Sequence, residues 1–381
     1  MIIQDFLIKN YQWVIGAIVV PFIIYFLAKE KNKIMKFLKI EQSEIKNNTF
    51  YQAEKIFVKQ TGLSIADVKD IAISTFEDNF PKLQALAKVE AKKNVQLFFN
   101  ELEKKIASQL NVEEINKFQD PDIQHALYEA IKSNARIGSE GLRRNLSALI
   151  VERIKNDNQD LKRIVYNEAI STIGKLTGDQ LKILALCFLL RYTYYTGILS
   201  WDVFNYYISK KIKPFTDFKN TTAEFQHLEY AGCGSIGIGS WDFIKGFREN
   251  YSFLFLKPIE QSEVDGLNLQ EDLKLEIITL KENKYLFRFR NSKGLREYLE
   301  KKSIEAVVID KVNNVYQKNI QSEEEIRKKI YEEADGGKSL AKVWADSQLK
   351  HLSLTSVGIV IGAIYYEQII GEKLDIDIWI N

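Results

Sequence analysis

One run of this chain limits its folding more than any other. Trp13 to Ala28, WVIGAIVVPFIIYFLA, carries no ionisable or amide side chain. Extended back through Tyr11 and Gln12, it approaches the roughly 20 residues that a helix needs to cross a hydrocarbon core. A helix on a protein surface would show a polar face, and this run offers none. Tyr11 and Trp13 stand at one end and Tyr25 near the other, where amphipathic rings meet both membrane interfaces. Pro21 would break a helix in water, whereas neighbouring helices make such a kink tolerable in lipid. The run predicts a single transmembrane helix within residues 1–28.

Flanking charge sets the expected orientation. Asp5 and Lys9 precede the run, and Lys29, Lys31, Lys33, Lys36 and Lys39 follow it, opposed only by Glu30. Positive charge stays inside, so the N-terminal tail is expected outside and the body in the cytoplasm. Two cysteines, Cys187 and Cys233, suit a reducing compartment. A cleaved signal peptide would have its basic residues ahead of the run and a small-residue cleavage site behind it, the reverse of this order. A buried core helix and a plain anchor without further role are the competing readings of the same stretch.

With 381 residues, 46% of them apolar, the chain can build two or more compact units. A net charge of +2 gives no global field toward nucleic acid. His125, His227 and His351 lie far apart, so no zinc or other metal site is expected. The expected fold class is mainly α with a small β component, with a multi-helix body that ends in a winged-helix-like module. Residues 1–28 form the anchor and 29–48 a basic juxtamembrane helix and linker. Residues 49–118 read as a helical hairpin or oligomerisation region, 119–260 as a helical core, and 261–381 as an α+β C-terminal domain. Within these, Asp120-Pro121, Ser139 and Thr177 read as helix starts. Leu273–Leu280 and Tyr285–Arg290 alternate around a turn and predict a hairpin. Thr355 to Ile370 reads as a core helix, stopped by Gly371 and followed by a strand from Asp375 to Ile380.

Few motifs carry chemistry. Gly232, Gly234 and Gly237 spell G-x-G-x-x-G, but the preceding TTAEFQHLEY reads as a helix, and a dinucleotide loop needs a strand there. His227 and Cys233 have no group to orient them as a dyad, so both read as inert. Asp272, Glu276 and Lys281 read as a solvated strand face rather than a metal-nuclease cluster. Arg288 and Arg290 sit two apart and point to one side of the hairpin, where with Lys281, Lys284 and Lys293 they would meet a phosphate-bearing ligand or simply keep the hairpin soluble. No catalytic residue and no cofactor is expected, and the chain does not read as an enzyme.

Four strings carry a resemblance: DPDIQHALYEAIKSNARIGSEGLRRNLSALIVERI, LTGDQLKILALCFLLRYT, VWADSQLKHLSLTSVGIVIGA and LDIDIWI. Across roughly residues 115–381 the chain resembles a bacterial family of N-terminally membrane-anchored, α-rich proteins. Its architecture is similar to membrane effectors of anti-phage systems, such as the channel-like effector of the Hailong type. That resemblance implies a homo-oligomer in the inner membrane, a tetramer being one such assembly. Its helices would gather into a pore gated by a signal bound to the cytoplasmic body and made by a partner enzyme. Trp13, Gly16, Ala17, Val20, Pro21 and Ile24 would line that pore or face lipid. The small Gly16 and Ala17 allow close helix approach, and an apolar lining gates by dewetting. Lys29, Lys31, Lys33 and Lys36, with Arg288 and Arg290, are the expected contacts for an anionic nucleotide or oligonucleotide signal. The alternative is a membrane-tethered scaffold for protein or nucleic acid without channel activity.

Overall fold

A computed structural model of the chain describes residues 85–156, 160–281 and 283–380. Among these no helix is long and apolar enough to cross a membrane. The run Trp13–Ala28, the lysines at 29, 31, 33 and 36, and the linker to residue 48 lie outside the described residues.

The described residues form two compact units. One takes the chain up to Leu176 and again from Ser356; the other is Thr177–Thr355. The first unit opens with α1 (Ala85–Gln109), α2 (Val112–Asn116), α3 (Pro121–Ile137), α4 (Glu140–Lys155) and α5 (Asp160–Ile173). Their starts follow the local chemistry read from the sequence. The Asp120 carboxylate accepts from the Asp122 amide at 2.7 Å, with Pro121 in the first turn. Ser139 caps α4 in the same way. Between α3 and α4 the chain turns at Gly138, φ 70°, a conformation that leaves no room for a side chain beside Asn94. Buried Asn94 and Asn134 cross-link α1 and α3, each amide donating to a backbone carbonyl of the other helix's segment, Ala135 and Asn94 respectively.

The second unit begins with α6 (Gly178–Arg191), which is buried on nearly every side. Thr177 and Gln180 start it as a reciprocal capping box. Then come α7 (Trp201–Tyr207), extended by a π-helical turn at Ile208–Ile212, and α8 (Thr222–Tyr230). Strand β1 (Gly234–Ile236) and helices α9 (Phe243–Asn250), α10 (Gln261–Gly266) and α11 (Glu271–Ile277) follow. The hairpin β2 (Ile278–Lys281) and β3 (Lys284–Phe287) precedes α12 (Ser292–Lys301), α13 (Ala306–Lys318), α14 (Glu323–Glu333) and α15 (Gly337–Asp346). Strand β4 (Leu352–Leu354) returns antiparallel to β1, pairing Gly234 with Leu354 and Ile236 with Leu352. The chain then rejoins the first unit as α16 (Ser356–Ile370), ended by Gly371 at φ 81°, and finishes in the single turn α17 (Asp377–Ile380).

Three sequence readings are corrected here. The expected hairpin is shorter than its alternation suggested, because Leu273–Ile277 is the end of α11 and places Leu273 and Ile277 in the core as a helical i, i+4 pair. The expected strand at Asp375–Ile380 is an extended segment followed by the turn α17, which buries Ile376 and Ile380. The unit boundary also falls elsewhere than residue 261. Residues 356–380 cluster with the first unit and the hairpin with the second, and the ending expected to be winged-helix-like has its helix and its Gly371 stop but, among the described residues, no edge strand. The coarse class stands: mainly helical, with two small antiparallel pairs.

Candidate functional site

The second unit disposes of several candidates. The three glycines of G-x-G-x-x-G follow helix α8 and lead into β1. A Cβ on Gly234 would meet the Ser353 carbonyl oxygen at 2.8 Å, so this glycine serves strand pairing rather than a pyrophosphate. His227 accepts or donates at Gln180, and burial pushes the Cys187 thiol up to about 12. Glu276 hydrogen-bonds Tyr298 and Lys302, which hold its carboxyl below the usual range. Among the described residues no group of three or more His, Cys, Asp or Glu is placed to hold a metal ion. Arg288 and Arg290 are both exposed beyond β3, as their spacing predicts. The Arg290 guanidinium donates to the Thr196 carbonyl at 3.0 Å, a bond that ties down the hairpin edge.

The charge that is hard to explain as surface lies in the first unit. Helices α4, α5 and α16 converge with the tail after Gly371 around a cavity of about 470 Å³. Glu152 on α4 is buried, and its two carboxylate oxygens accept from Lys155 at 3.1 Å and from Lys373 of the tail at 2.6 Å. One helix along, Lys162 is buried beside Asp377 of α17 at 2.8 Å. Each of these two ion pairs thus joins a buried group to a partly exposed one on the tail. Breaking the Lys162–Asp377 pair strands an ammonium away from water, which is far costlier than losing a surface pair, whereas Glu152 keeps Lys155 if Lys373 leaves.

Glu367, at the end of the apolar α16, faces the same cavity without an ion-pair partner among the described residues. Burial raises its pKa, and repulsion from Glu152 adds to this; Lys373, Lys105 and Lys155 pull the other way. Burial likewise lifts the Tyr166 phenol, with Glu152, Asp377 and Glu367 adding to the shift. A half-buried carboxyl whose pKa is raised, a buried carboxylate held by two lysines and a neutral phenol are the chemistry present. The arrangement can take up a proton at Glu367 and exchange the partners of Glu152.

Over residues 62–380 the chain matches a protein-family model whose description reads ":-like". The chain belongs to that family. The family span holds every residue of the cavity and begins after the apolar run and its lysines. No curated protein and no solved structure matches the chain.

The sequence reading missed this site because its members are distant along the chain. Glu152, Tyr166, Glu367 and Lys373 share no local motif. The one signal was Glu367 itself, a lone carboxylate directly after LTSVGIVIGAIYY.

Proposed function

We propose that this chain is a membrane-embedded effector of antiviral defence, a homo-oligomeric channel or pore held in the inner membrane by its N-terminal helix. The observation that carries this reading is the uncharged run Trp13–Ala28 with five lysines on one side only. One helix cannot enclose a pore, so conduction requires several copies around an axis. The cytoplasmic body reads an anionic signal, such as a nucleotide made by a partner enzyme. The tail after Gly371 gives that body a movable part. Lys373 and Asp377 hold it to Glu152 and Lys162, and a change of protonation or partner at the cavity would release it.

The test uses the full chain in bacteria with a membrane-potential dye. The double variant Lys373→Gln with Asp377→Asn removes both ion pairs of the tail, loosening it while Ile376 and Ile380 still pack, and should depolarise the cells. Placing Lys at Val20, or deleting residues 1–28, should abolish the effect. An unchanged potential in the loosened-tail variant sinks the channel reading. Depolarisation that survives deletion of the run sinks it as well.

A further inference from the structure

A second cavity in the first unit, of about 510 Å³, is lined by three cationic side chains and one carboxylate over small residues. Its floor is small, with Ala87 and Ala91 from α1 and Gly174 just past the end of α5. A Cβ on Gly174 would lie 1.9 Å from the Ser133 hydroxyl and 3.2 Å from its Cβ, so the bare glycine lets the ends of α3 and α5 approach closely without turning that hydroxyl aside. That approach brings two rows of side chains to one mouth. Lys132, Ser133 and Arg136 share a face of α3 by their spacing, and Ser171 and Lys175 stand opposite.

The charges at this mouth are not mutually satisfied. Lys132 is paired with Glu129 of its own helix at 3.2 Å. Arg136 and Lys175 have no ion pair or hydrogen bond from their side chains among the described residues. Cations near a helix C-terminus usually answer its free carbonyls. Here two of those at the end of α3 already have donors, Ala135 from Asn94 and Asn134 from the Gly138 amide, and Arg143 donates to the Gly138 carbonyl just beyond. Three cations against one carboxylate leave two positive charges facing a cavity of ligand size.

We propose that this cavity binds a phosphate monoester dianion, with Arg136 and Lys175 as its charged contacts and Lys132 and Ser133 as further donors. Arginine offers a planar fork for two phosphate oxygens, and lysine supplies a point charge. The inference deepens the reading above by placing the anionic group of the signal. It is tested by binding alone, so its failure would leave the channel reading standing on the membrane-potential experiment. Two sources share the chemistry: a 5′-nucleoside monophosphate and a phosphatidic acid headgroup.

The full chain in detergent is titrated by calorimetry with inorganic phosphate, with adenosine 5′-monophosphate, and with phosphatidic acid in mixed micelles. Saturable binding is expected, and Arg136→Gln and Lys175→Gln should each weaken it about tenfold, as loss of a charged hydrogen bond does. Lys301→Gln, at an exposed lysine of the second unit, should bind as wild type, and the Arg288→Gln, Arg290→Gln hairpin pair tests the competing basic site. Both cavity side chains are exposed, and an unchanged circular-dichroism melt verifies that the variants fold. Tighter binding of the nucleotide than of phosphate and micelles supports a soluble ligand, and the reverse order a lipid one. Binding of none of the three probes overturns the proposal. So does undiminished affinity in the Arg136→Gln, Lys175→Gln double variant, or loss of binding in the hairpin pair instead.

Discussion

The two units keep their cores together by different means. In the second, Phe204 is fully buried and touches five rings: Trp201, Tyr207, Phe247, Tyr251 and Phe255, with centroids 5.3 to 6.5 Å away. Phe243 extends the cluster to Trp344 at 4.8 Å. In the first unit the largest fully buried side chain is Arg153. Its guanidinium donates to Asp122 at 2.6 Å and to Asn167 at 2.9 Å, while Asn167 also donates to Asp122 at 2.8 Å. Rings resist removal through lost area and an unfilled cavity, whatever the pH. A buried ion pair adds little net stability over an apolar replacement, yet it fixes one arrangement and is costly to half-dismantle. The comparison teaches that removing a ring from the aromatic cluster should cost the same at any pH, whereas the contribution of the Arg153 network should depend on protonation.

The largest expected effect breaks the aromatic side. Phe204→Ala should cost about 3–5 kcal/mol, the usual toll of a fully buried ring. In hydrogen exchange on the full chain, protection should fall across residues 201–255 and hold across 121–173. Equal loss in both would mean that the units open together, and the contrast between them would fail.

Arg153→Met comes next, at about 2–3 kcal/mol at neutral pH, less than for a wholly dry pair because Asp122 keeps some water. Its pH dependence is the sharper test. Burial alone would raise the pKa of Asp122, but hydrogen bonds from Asn167 and Arg153, with the Arg153 charge, carry it below the ordinary aspartate value. A lowered folded pKa stabilises above the unfolded value and ceases to do so as pH falls through the folded one. The difference between wild type and Arg153→Met, read as exchange protection in 121–173, should therefore shrink as the pH falls below the ordinary aspartate range. A constant difference would show that Arg153 acts by packing alone. The Phe204→Ala deficit should show no such trend.

What could be read from the sequence follows this division. Local chemistry declares itself: Asp120-Pro121, Ser139 and Thr177 start helices where their side chains reach orphan amides, and Gly371 stops one. The apolar face of α4 and the all-round burial of α6 were equally legible, because periodicity reports how many sides a helix buries. The turn between β2 and β3 was placed, but the start of β2 was not, since Leu273 and Ile277 suit a strand face and a helix face alike. The tail failed for the same reason: alternating LDIDIWI reads as a strand until its surroundings ask it to bury Ile376 and Ile380. Beyond Glu367 at the end of its apolar run, neither cavity has a local sign. Arg288 and Arg290 drew attention by standing two apart, whereas Arg136 and Lys175 are brought together by a contact at Gly174 that only packing reveals.

The smallest expected effect goes to the middle of the ion-paired unit. Glu367 has a raised folded pKa, from burial first and Glu152 second. A carboxyl so shifted favours the fold while protonated, and that contribution is lost as pH rises from the ordinary glutamate range through the folded value. At neutral pH the charged form is therefore a mild burden that a neutral isostere lifts. Glu367→Gln should raise the melting temperature of the full chain slightly at pH 7, by an amount that solvent at this half-exposed site keeps small, and leave it unchanged near pH 4. If the gain has the same size at both pH values, the side chain's shape and not its charge is responsible. A loss at neutral pH would mean that the Glu367 carboxylate is needed as an anion, paired with Lys373 or Lys105 in solution. The cavity would then be a closed network like that of Arg153, and not the part of this unit that protons can reset.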